Sequence, residues 1–580
     1  MDIVFQAKAV KLIRQLIDKS VSTTPVIPFI AQKPKSSGIC EQPYFQRVVP
    51  ESEGVSSKYL FDFLKELDEN KGLDMHSIMI MRNGRVLSEG SFGAYKKSVW
   101  HITYSMCKSI TGLAIGLLID EGKLSLDDKL VDIFSKNANI ITTTLQKNIT
   151  VKSLLTMSTG VVFNEAGSVT ETDWVQGFLE SAVRFEAGKG FSYNSMNSYM
   201  LSAIVCEKSG RSLREYLDEK LFIPMGITDL FWEKCPKGIE KGGWGLYIKL
   251  EDVAKLGQLV LQNGVWNGVQ LISKEYISAA STKQNTAQDN IGNFDYGFQM
   301  WTGRGQNSFL FNGMFGQNLI AFRDTGIIVA SNAGNDEFFQ VSDFFTTVEK
   351  YFGKDYAPCD KLPRRFADCR RLRELEARLG RDKKKGFFER NKICKLAQEL
   401  DGRVYTFSHD DTAGVGIMPL YLQAAQNNHT KGLDKMAFYY KDKKLIVDVT
   451  ESKLTNSFEI GLFEPKYNDV CYDGEPYKVG LLGEFCIDED GLEVLKLRFS
   501  FIETANSRIV KLFFLPNGDV KAEFMEKPGK DYLMLALDCT VKDIKNVGFL
   551  EPLVDKLDSD FIDYKISAML EPSAIGRLKK

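Results

Sequence analysis

Histidine is scarce in this chain: there are four in 580 residues, at His76, His101, His409 and His429. No H-E-x-x-H motif occurs and no Cys/His pattern has metal-ligand spacing, so a zinc hydrolase has little to build on and no metal site is expected. The ten cysteines include no C-x-x-C pair. In a chain this long they read as free thiols, most of them small buried hydrophobes, rather than as a disulfide framework. There is no G-x-S-x-G nucleophile elbow and no G-x-x-x-x-G-K-[ST] phosphate loop. An excess of charge is missing too. With 74 basic and 76 acidic side chains the formal net charge is -2, which gives no reason to expect nucleic acid or an anionic membrane as partner. No apolar run approaches the ~18 residues that a membrane-spanning helix needs.

What is present is enough apolar material, 44% of the residues, for several cores. At about 100–200 residues per domain the length suggests two to four domains. In "MDIVFQAKAVKLIRQLIDKSV", Lys8, Lys11, Arg14 and Lys19 interrupt every apolar stretch, so no signal-peptide core exists and a cytoplasmic protein is expected. Ile3, Val10, Ile13 and Ile17 recur at helical spacing. That pattern reads as an amphipathic helix docking on the body of the protein. A membrane-surface helix is the alternative, opposed by flanking Asp2 and Asp18. Pro25, Pro28 and Pro34 then mark an irregular connector.

"HSIMIMRNGRVLSEGSF", from His76 to Phe92, is predicted to be a hairpin turning at Asn83-Gly84. Helix-like and loop segments follow to about Ala280, strand signals return over Phe294–Gly334, and a helix is expected at Phe338–Tyr351. A hairpin early and three strands late imply one antiparallel sheet assembled from both ends of the region. The basic stretch Pro358–Lys385 reads as a solvated linker helix, with an RNA-binding patch as the alternative. Beyond Leu400, seven or eight alternating runs suggest an antiparallel β barrel or sandwich. The expected division is 1–45 (helix and connector), 46–355 (α/β core), 356–395 (basic linker) and 396–580 (β domain).

One stretch carries chemistry. In "WHITYSMCKSITGLAIGLLIDEG", Ser105 and Lys108 stand three apart at the head of an apolar, helix-like run. On a helix they share a face. The first turn favours negative charge, and burial pushes a lysine towards its neutral form, so the pair reads as a serine activated by an amine base. Serine at a helix start is also a common N-cap. No other serine in the chain has a lysine three residues on. His101, four residues before Ser105, is a second potential base; without an evident acidic partner it reads as structural or substrate-facing.

Five ordered blocks extend the pattern: "YSMCKSITGLAIGLLIDEGKLSLDDKLVDIF", "ITVKSLLTMSTGV", "FEAGKGFSYNSMNSYMLSAIVCEKSGRSLREYL", "GGWGLYIKLEDVAKLGQLVLQNG" and "FNGMFGQNLIAF". Together they resemble the serine β-lactamase and penicillin-binding-protein superfamily over roughly Val48 to Tyr351. The nearest likeness is to the class C β-lactamases, the esterases of that fold and the 6-aminohexanoate-dimer hydrolases. The resemblance implies an α/β (α+β) transpeptidase-like core, with an antiparallel sheet flanked by helices and a helical subdomain. To that core the C-terminal all-β domain is appended.

The resemblance also assigns residues. Ser105 matches the acylated serine, Lys108 the base, and Tyr193 the tyrosine whose hydroxyl passes the proton to the leaving group, given cationic neighbours that lower its pKa. Gly316 matches the glycine of the edge strand, and the backbone N–H groups of Ser105 and Gln317 would form the oxyanion hole. Two motifs depart from the family. Tyr193-Asn194-Ser195 replaces Y-x-N; Ser195 is the positional match, and Asn194 or Asn197 are candidates to replace the missing amide. Met314-Phe315-Gly316 replaces K-T-G or H-x-G, offering an apolar wall instead of a carboxylate grip. The expectation is therefore a small ester or amide substrate, carboxylesterase-like rather than efficiently β-lactamase-like, with no metal or organic cofactor. A D-amino-acid peptidase of the same chemistry and a non-catalytic, ligand-binding protein of this fold are the alternatives. The β domain has three open roles: capping the active site, forming a homo-oligomer or binding something else.

Overall fold

Asn83 and Gly84 both take left-handed φ angles, 53° and 72°, and so make the primed turn that the hairpin sequence calls for. The computed structural model in which they are seen describes residues 29–38, 43–529 and 570–579, apart from 138, 140, 141, 143, 145, 169, 170, 288–293, 304–306, 337–341, 382–385, 409–411, 413, 427, 431, 452 and 453. The predicted N-terminal helix lies outside the described residues. So do Cys40, Cys539 and the start of the helix expected at Phe338.

In the first domain α1 (Ser57–Glu69) precedes the hairpin strands β1 (Met75–Arg82) and β2 (Arg85–Ser91). Then come α2 (Cys107–Asp120), α3 (Ser195–Ser209) and α4 (Leu250–Leu261). Strands β3 (Ser308–Gly313), β4 (Gln317–Phe322) and β5 (Ile327–Ala333) and helices α5 (Asp343–Phe352) and α6 (Phe366–Glu376) complete it. The eight-stranded sheet runs β2-β1-β5-β4-β3 and ends in three two-residue strands, Trp301–Thr302, Asp295–Tyr296 and Asn285–Thr286. The early hairpin thus joins the late strands through β1 and β5, Ile80 opposite Val329, as expected.

Both faces of this sheet are covered, which explains why its strands read as nearly unbroken apolar runs. Ile78, Ile80, Leu310, Ile320 and Val329 face α1, α5 and α6, whereas their neighbours Met79, Met81, Phe309, Leu319 and Ile328 face α2, α3 and α4. Helix α2 is mostly apolar and has 12 of its 14 residues buried, as a helix through the middle of a domain must be.

The basic stretch is helical at α6, and one side of it is docked rather than solvated. Cys369, Leu372 and Leu375 are buried and pack with α1, while Arg370, Arg371 and Arg373 stay exposed. The cysteines are more evenly spread than expected. Among the described residues all are free, but only Cys107, Cys235 and Cys369 are buried, whereas Cys359, Cys471 and Cys486 are exposed.

Helix α7 (Phe387–Glu399) leads into the second domain. There β6 (Val404–Phe407) and the short helix α8 (Leu420–Gln426) precede nine strands. These are β7 (Leu433–Lys441), β8 (Lys444–Glu451), β9 (Leu454–Ile460), β10 (Lys466–Tyr472), β11 (Glu475–Ile487), β12 (Glu493–Phe501), β13 (Ser507–Phe514), β14 (Val520–Lys527) and β15 (Ser573–Leu578). All ten strands form one antiparallel sheet ordered β9-β8-β7-β6-β15-β14-β13-β12-β11-β10. The sheet curls into a nearly closed barrel around an apolar core. At its seam, asparagine side chains stand in for the missing ladder. Asn456 bonds the backbone of Cys471 in both directions, and Asn468 does the same at Glu459. Unpaired edge groups are thereby satisfied without a further strand.

The barrel docks on the chain just ahead of Ser105. The Ile102 N–H donates to Glu503 O at 2.9 Å, and the Trp100 indole N–H donates to the Glu503 carboxylate at 2.5 Å. Lys33, in the irregular segment 29–38, pairs with that carboxylate at 3.2 Å with both side chains buried. Removing either partner of such a pair would leave a buried charge uncompensated.

Candidate active site

His101–Ile102 is a short strand paired with Leu246–Ile248, and Thr103 donates its N–H to Leu246 O at 2.8 Å. The chain then turns through a single 3₁₀ turn, Tyr104–Met106, and enters α2 at Cys107. Ser105 therefore sits in a tight turn immediately before α2 rather than inside its first turn. Tyr104 takes a φ of 46°, sparsely populated for a residue with a side chain. Such conformations persist where the surroundings hold them.

Ser105 and Lys108 are in contact. Lys108 Nζ lies 2.8 Å from Ser105 Oγ and donates to Gly243 O at 2.7 Å. The lysine is 1% exposed and the serine 8%. Burial lowers the Lys108 pKa to about 8, with the charge of Glu165 pulling the other way. A lysine so placed loses its proton close to neutral pH, which a solvated one does not.

Tyr193 completes the cluster. Its ring stacks on Trp301 at 5.4 Å, meets Tyr296 edge-on at 6.3 Å, and lies with its centroid 5.1 Å from Lys108 Nζ. Its hydroxyl is a hydrogen-bonding neighbour of Ser105. The phenol does not have the lowered pKa expected of it. Burial among aromatic rings raises it, and the Ser105 bond offsets this only in part. At neutral pH the phenol keeps its proton, so it is suited to donate and relay rather than to act as a phenolate base.

The second residue expected of the oxyanion hole, Gln317, follows the neighbouring turn. Met314–Gly316 links β3 to β4, with Gln317 as the first residue of β4. The Gln317 side chain is spent on holding this turn: Nε2 donates to Met314 O and Ala333 O, and Oε1 accepts from the Ala333 N–H. Its backbone position is thereby pinned. Gly313 is where strand and nucleophile turn touch. A Cβ there would lie 2.2 Å from Thr103 O and 3.1 Å from Met106 N, so only glycine fits.

Three candidate substrate contacts are used elsewhere. Asn194 caps α3, its Oδ1 accepting from the Met196 N–H while its amide donates to Val161 O and Phe163 O. Asn197 is fully buried and accepts from the Thr159 hydroxyl at 2.8 Å. Phe315 is fully buried between Tyr104 and Tyr421 instead of walling the pocket. Of that turn, Met314 and Gly316 remain partly exposed. Ser195 stays beside the site and donates its N–H to Glu165 Oε1 at 3.3 Å. His101 is buried and bonded to His76 and Ile102 O, which favours its structural reading.

Two participants were not foreseen. Gly243 lies in the quoted "GGWG" block, where its glycine doublet was the only signal that backbone approaches closely. Glu165, in "FNEAG", carries no motif at all. Among the described residues, no group of three His, Cys, Asp or Glu side chains could hold a metal ion, and no helix is long and apolar enough to cross a membrane.

Residues 61–339 match the family model described as Beta-lactamase. An uncharacterized protein of Alkalihalophilus pseudofirmus is 24% identical over 238 residues, which are 36% of this chain and 65% of that protein. Protein flp of Staphylococcus aureus is 29% identical over 192 residues, 30% of this chain and 38% of that protein. The chain thus spans between 38% and 65% of the length of these curated relatives. Among solved structures it is similar to a 6-aminohexanoate-dimer hydrolase homologue from Bacillus anthracis, with 18% identity, a TM-score of 0.45, and coverage of 58% of this chain and 94% of that one. Residues 61–339 are thus a domain similar to the β-lactamase family, the family that the ordered sequence blocks resemble.

Proposed function

We propose that this chain is a serine hydrolase that cleaves a small ester or amide through an acyl-enzyme on Ser105. The observation that carries this reading is the 2.8 Å contact between Ser105 Oγ and a buried lysine whose pKa is brought down to about 8. Neutral Lys108 takes the hydroxyl proton as Oγ bonds to the substrate carbonyl carbon. The carbonyl oxygen gains the electron pair and is held by the Ser105 and Gln317 N–H groups. The proton then passes from Lys108 by way of the Tyr193 hydroxyl to the leaving oxygen or nitrogen, and that bond to carbon breaks. Water enters, the same groups take its proton, and the acid departs with Ser105 restored.

The substrate reading rests on the Met314–Gly316 turn. It presents no cation or hydroxyl to a substrate carboxylate, which favours an apolar acyl group over a penicillin. The test is labelling with a fluorophosphonate probe, locating the adduct by mass spectrometry, with Ser105→Ala alongside. An adduct at Ser105 that vanishes in the variant is expected, together with turnover of p-nitrophenyl esters faster than of nitrocefin. A folded protein that takes no label would instead be a ligand-binding member of the fold.

A further inference from the structure

Tyr104 and Phe315 are both non-glycine residues with positive φ, 46° and 65°. Each stands directly before a functional stretch. Tyr104 precedes Ser105, and Phe315 precedes Gly316 and Gln317. Their rings pack edge to face, with centroids 5.1 Å apart and planes at 80°. On its other side Phe315 meets a third ring in the same manner, at 5.1 Å and 87°. That ring is Tyr421, and it comes from the barrel domain.

Tyr421 is held firmly from behind. The N–H groups of Leu420 and Tyr421 donate to the two carboxylate oxygens of Glu526 at 2.7 and 3.2 Å. Glu526 pairs with Arg508 at 3.0 Å, both side chains being 1% exposed, and Arg508 also donates to Met418 O. At the far end of α8, Gln426 donates to the Tyr247 hydroxyl at 3.3 Å; Tyr247 is the strand partner of Ile102, three residues before Ser105. Helix α8 is therefore anchored in the barrel and touches both the Met314–Gly316 turn and the strand that pairs with the segment just before Ser105.

We propose that Tyr421 is a positioning residue for the serine hydrolase chemistry. The ladder Tyr104–Phe315–Tyr421 clamps two strained backbone turns together and so sets the separation between the Ser105 and Gln317 N–H groups. Edge-to-face packing is directional, which suits it to fixing distance as well as excluding water. Strained φ angles relax unless their surroundings hold them. Without the third ring, Phe315 loses its outer support and the oxyanion donors lose their spacing. The barrel thereby becomes part of the catalytic machinery without touching substrate.

The inference rests on the acyl-enzyme reading, and its test separates the two. Fluorophosphonate labelling of Ser105 and p-nitrophenyl butyrate kinetics are measured on the full chain for wild type, Tyr421→Phe and Tyr421→Ala. A small misplacement of reacting groups is costly, so Tyr421→Ala is expected to slow both labelling and kcat by roughly tenfold or more, with KM changed less than about threefold. Tyr421→Phe keeps the ring and is expected within about twofold of wild type on the same grounds. If Tyr421→Ala loses its far-UV circular dichroism, Tyr421→Leu takes its place with the same expectation, since it keeps bulk but not the ring edge. Labelling of folded Tyr421→Ala or Tyr421→Leu at the wild-type rate would overturn the ladder alone. So would a Tyr421→Phe variant as slow as Tyr421→Ala, by assigning the effect to the hydroxyl. Wild-type protein that takes no label at Ser105 would overturn both readings.

Discussion

Arg498 of barrel strand β12 donates from Nη2 to both carboxylate oxygens of Asp74, each at 2.7 Å, and so ties the barrel to the foot of β1. Asp74 is fixed in turn by its own N–H, which donates to Asn335 Oδ1 at 2.8 Å. The Arg498 side chain is 35% exposed, so water screens the pair. A double-mutant cycle of Asp74→Asn and Arg498→Met, read by urea unfolding, is expected to give a coupling of about 1 kcal/mol. A coupling of zero would mean that this pair does not help to hold the domains together.

Behind this pair stand two histidines. His76 Nδ1 and His101 Nε2 are 3.1 Å apart, His76 Nε2 is 4.0 Å from Asp74, and Tyr95 stacks on His76. Burial lowers the His101 pKa to about 4 and takes His76 well below 6.5. The unfolded chain takes up these protons near pH 6.5 while the folded one does not, so stability present above pH 6.5 is lost as the pH falls towards 4. Glu376 and Glu451, raised to about 7 by burial, act in the opposite sense, losing stability as the pH rises from 4.5 to 7. The difference made by one residue is therefore the quantity to measure. His101→Gln is expected to lose less stability than wild type between about pH 7 and about pH 5, compared by urea midpoints.

Lys108 is expected to govern the pH dependence of acylation. With its pKa at about 8, the labelling rate of Ser105 should rise with pH and level off above that value. Stability follows the same group. The folded pKa lies below the ordinary 10.5, so wild type gains stability as the pH rises from about 8 to 10.5. Lys108→Met removes both effects. Its labelling should fall by roughly 10²–10⁴, its stability at neutral pH should not fall, and its gain in stability at alkaline pH should vanish. A variant that kept the pH-dependent labelling would assign the base elsewhere.

Tyr193→Phe separates relay from packing. The ring keeps its stack on Trp301, so unfolding should change little. Loss of the proton donor should cut turnover of an alkyl ester or amide by roughly 10²–10⁴. A p-nitrophenolate leaves without a proton, so p-nitrophenyl esters should suffer much less. Equal losses on both substrates would mean that the hydroxyl serves binding and not the leaving group.

Much of this was legible in the chain because local chemistry decided it. Asn83-Gly84 set the hairpin, and the Ser105–Lys108 spacing survives whether the serine stands in the helix or, as here, in the turn before it. Strand β10 was not legible: "KYNDVCY" mixes charge and asparagine at positions that the barrel seam, not the strand itself, makes favourable. Strand β15 is contributed from residue 573, far from the partners it joins in β6 and β14. At the site, sequence order could match Tyr193 but not its surroundings, and the aromatic rings around it reverse the direction of its pKa. Asn194 and Asn197 looked like substrate contacts because spacing shows adjacency; only the fold shows that their amides are already spent on the backbone and on Thr159.

Gly313 offers the sharpest test of how closely the two turns are fitted. An added Cβ would stand 2.2 Å from Thr103 O and 3.1 Å from Met106 N, both of them backbone atoms at the turn that carries Ser105. Neither can swing aside as a flexible side chain would, so Gly313→Ala must push β3 away from the nucleophile turn. Overpacking of this kind costs about 1–3 kcal/mol of stability. The loss in activity should be larger, because a shift of ~1 Å between reacting groups costs about 10²-fold. Gly386→Ala is the control: its Cβ would meet nothing within 4 Å, and it lies at the start of α7. There labelling should be unchanged. Measured together by urea unfolding and Ser105 labelling, Gly313→Ala should lose both. A stable variant that labels at the wild-type rate would mean that the turn and strand tolerate a wider separation than the oxyanion geometry requires.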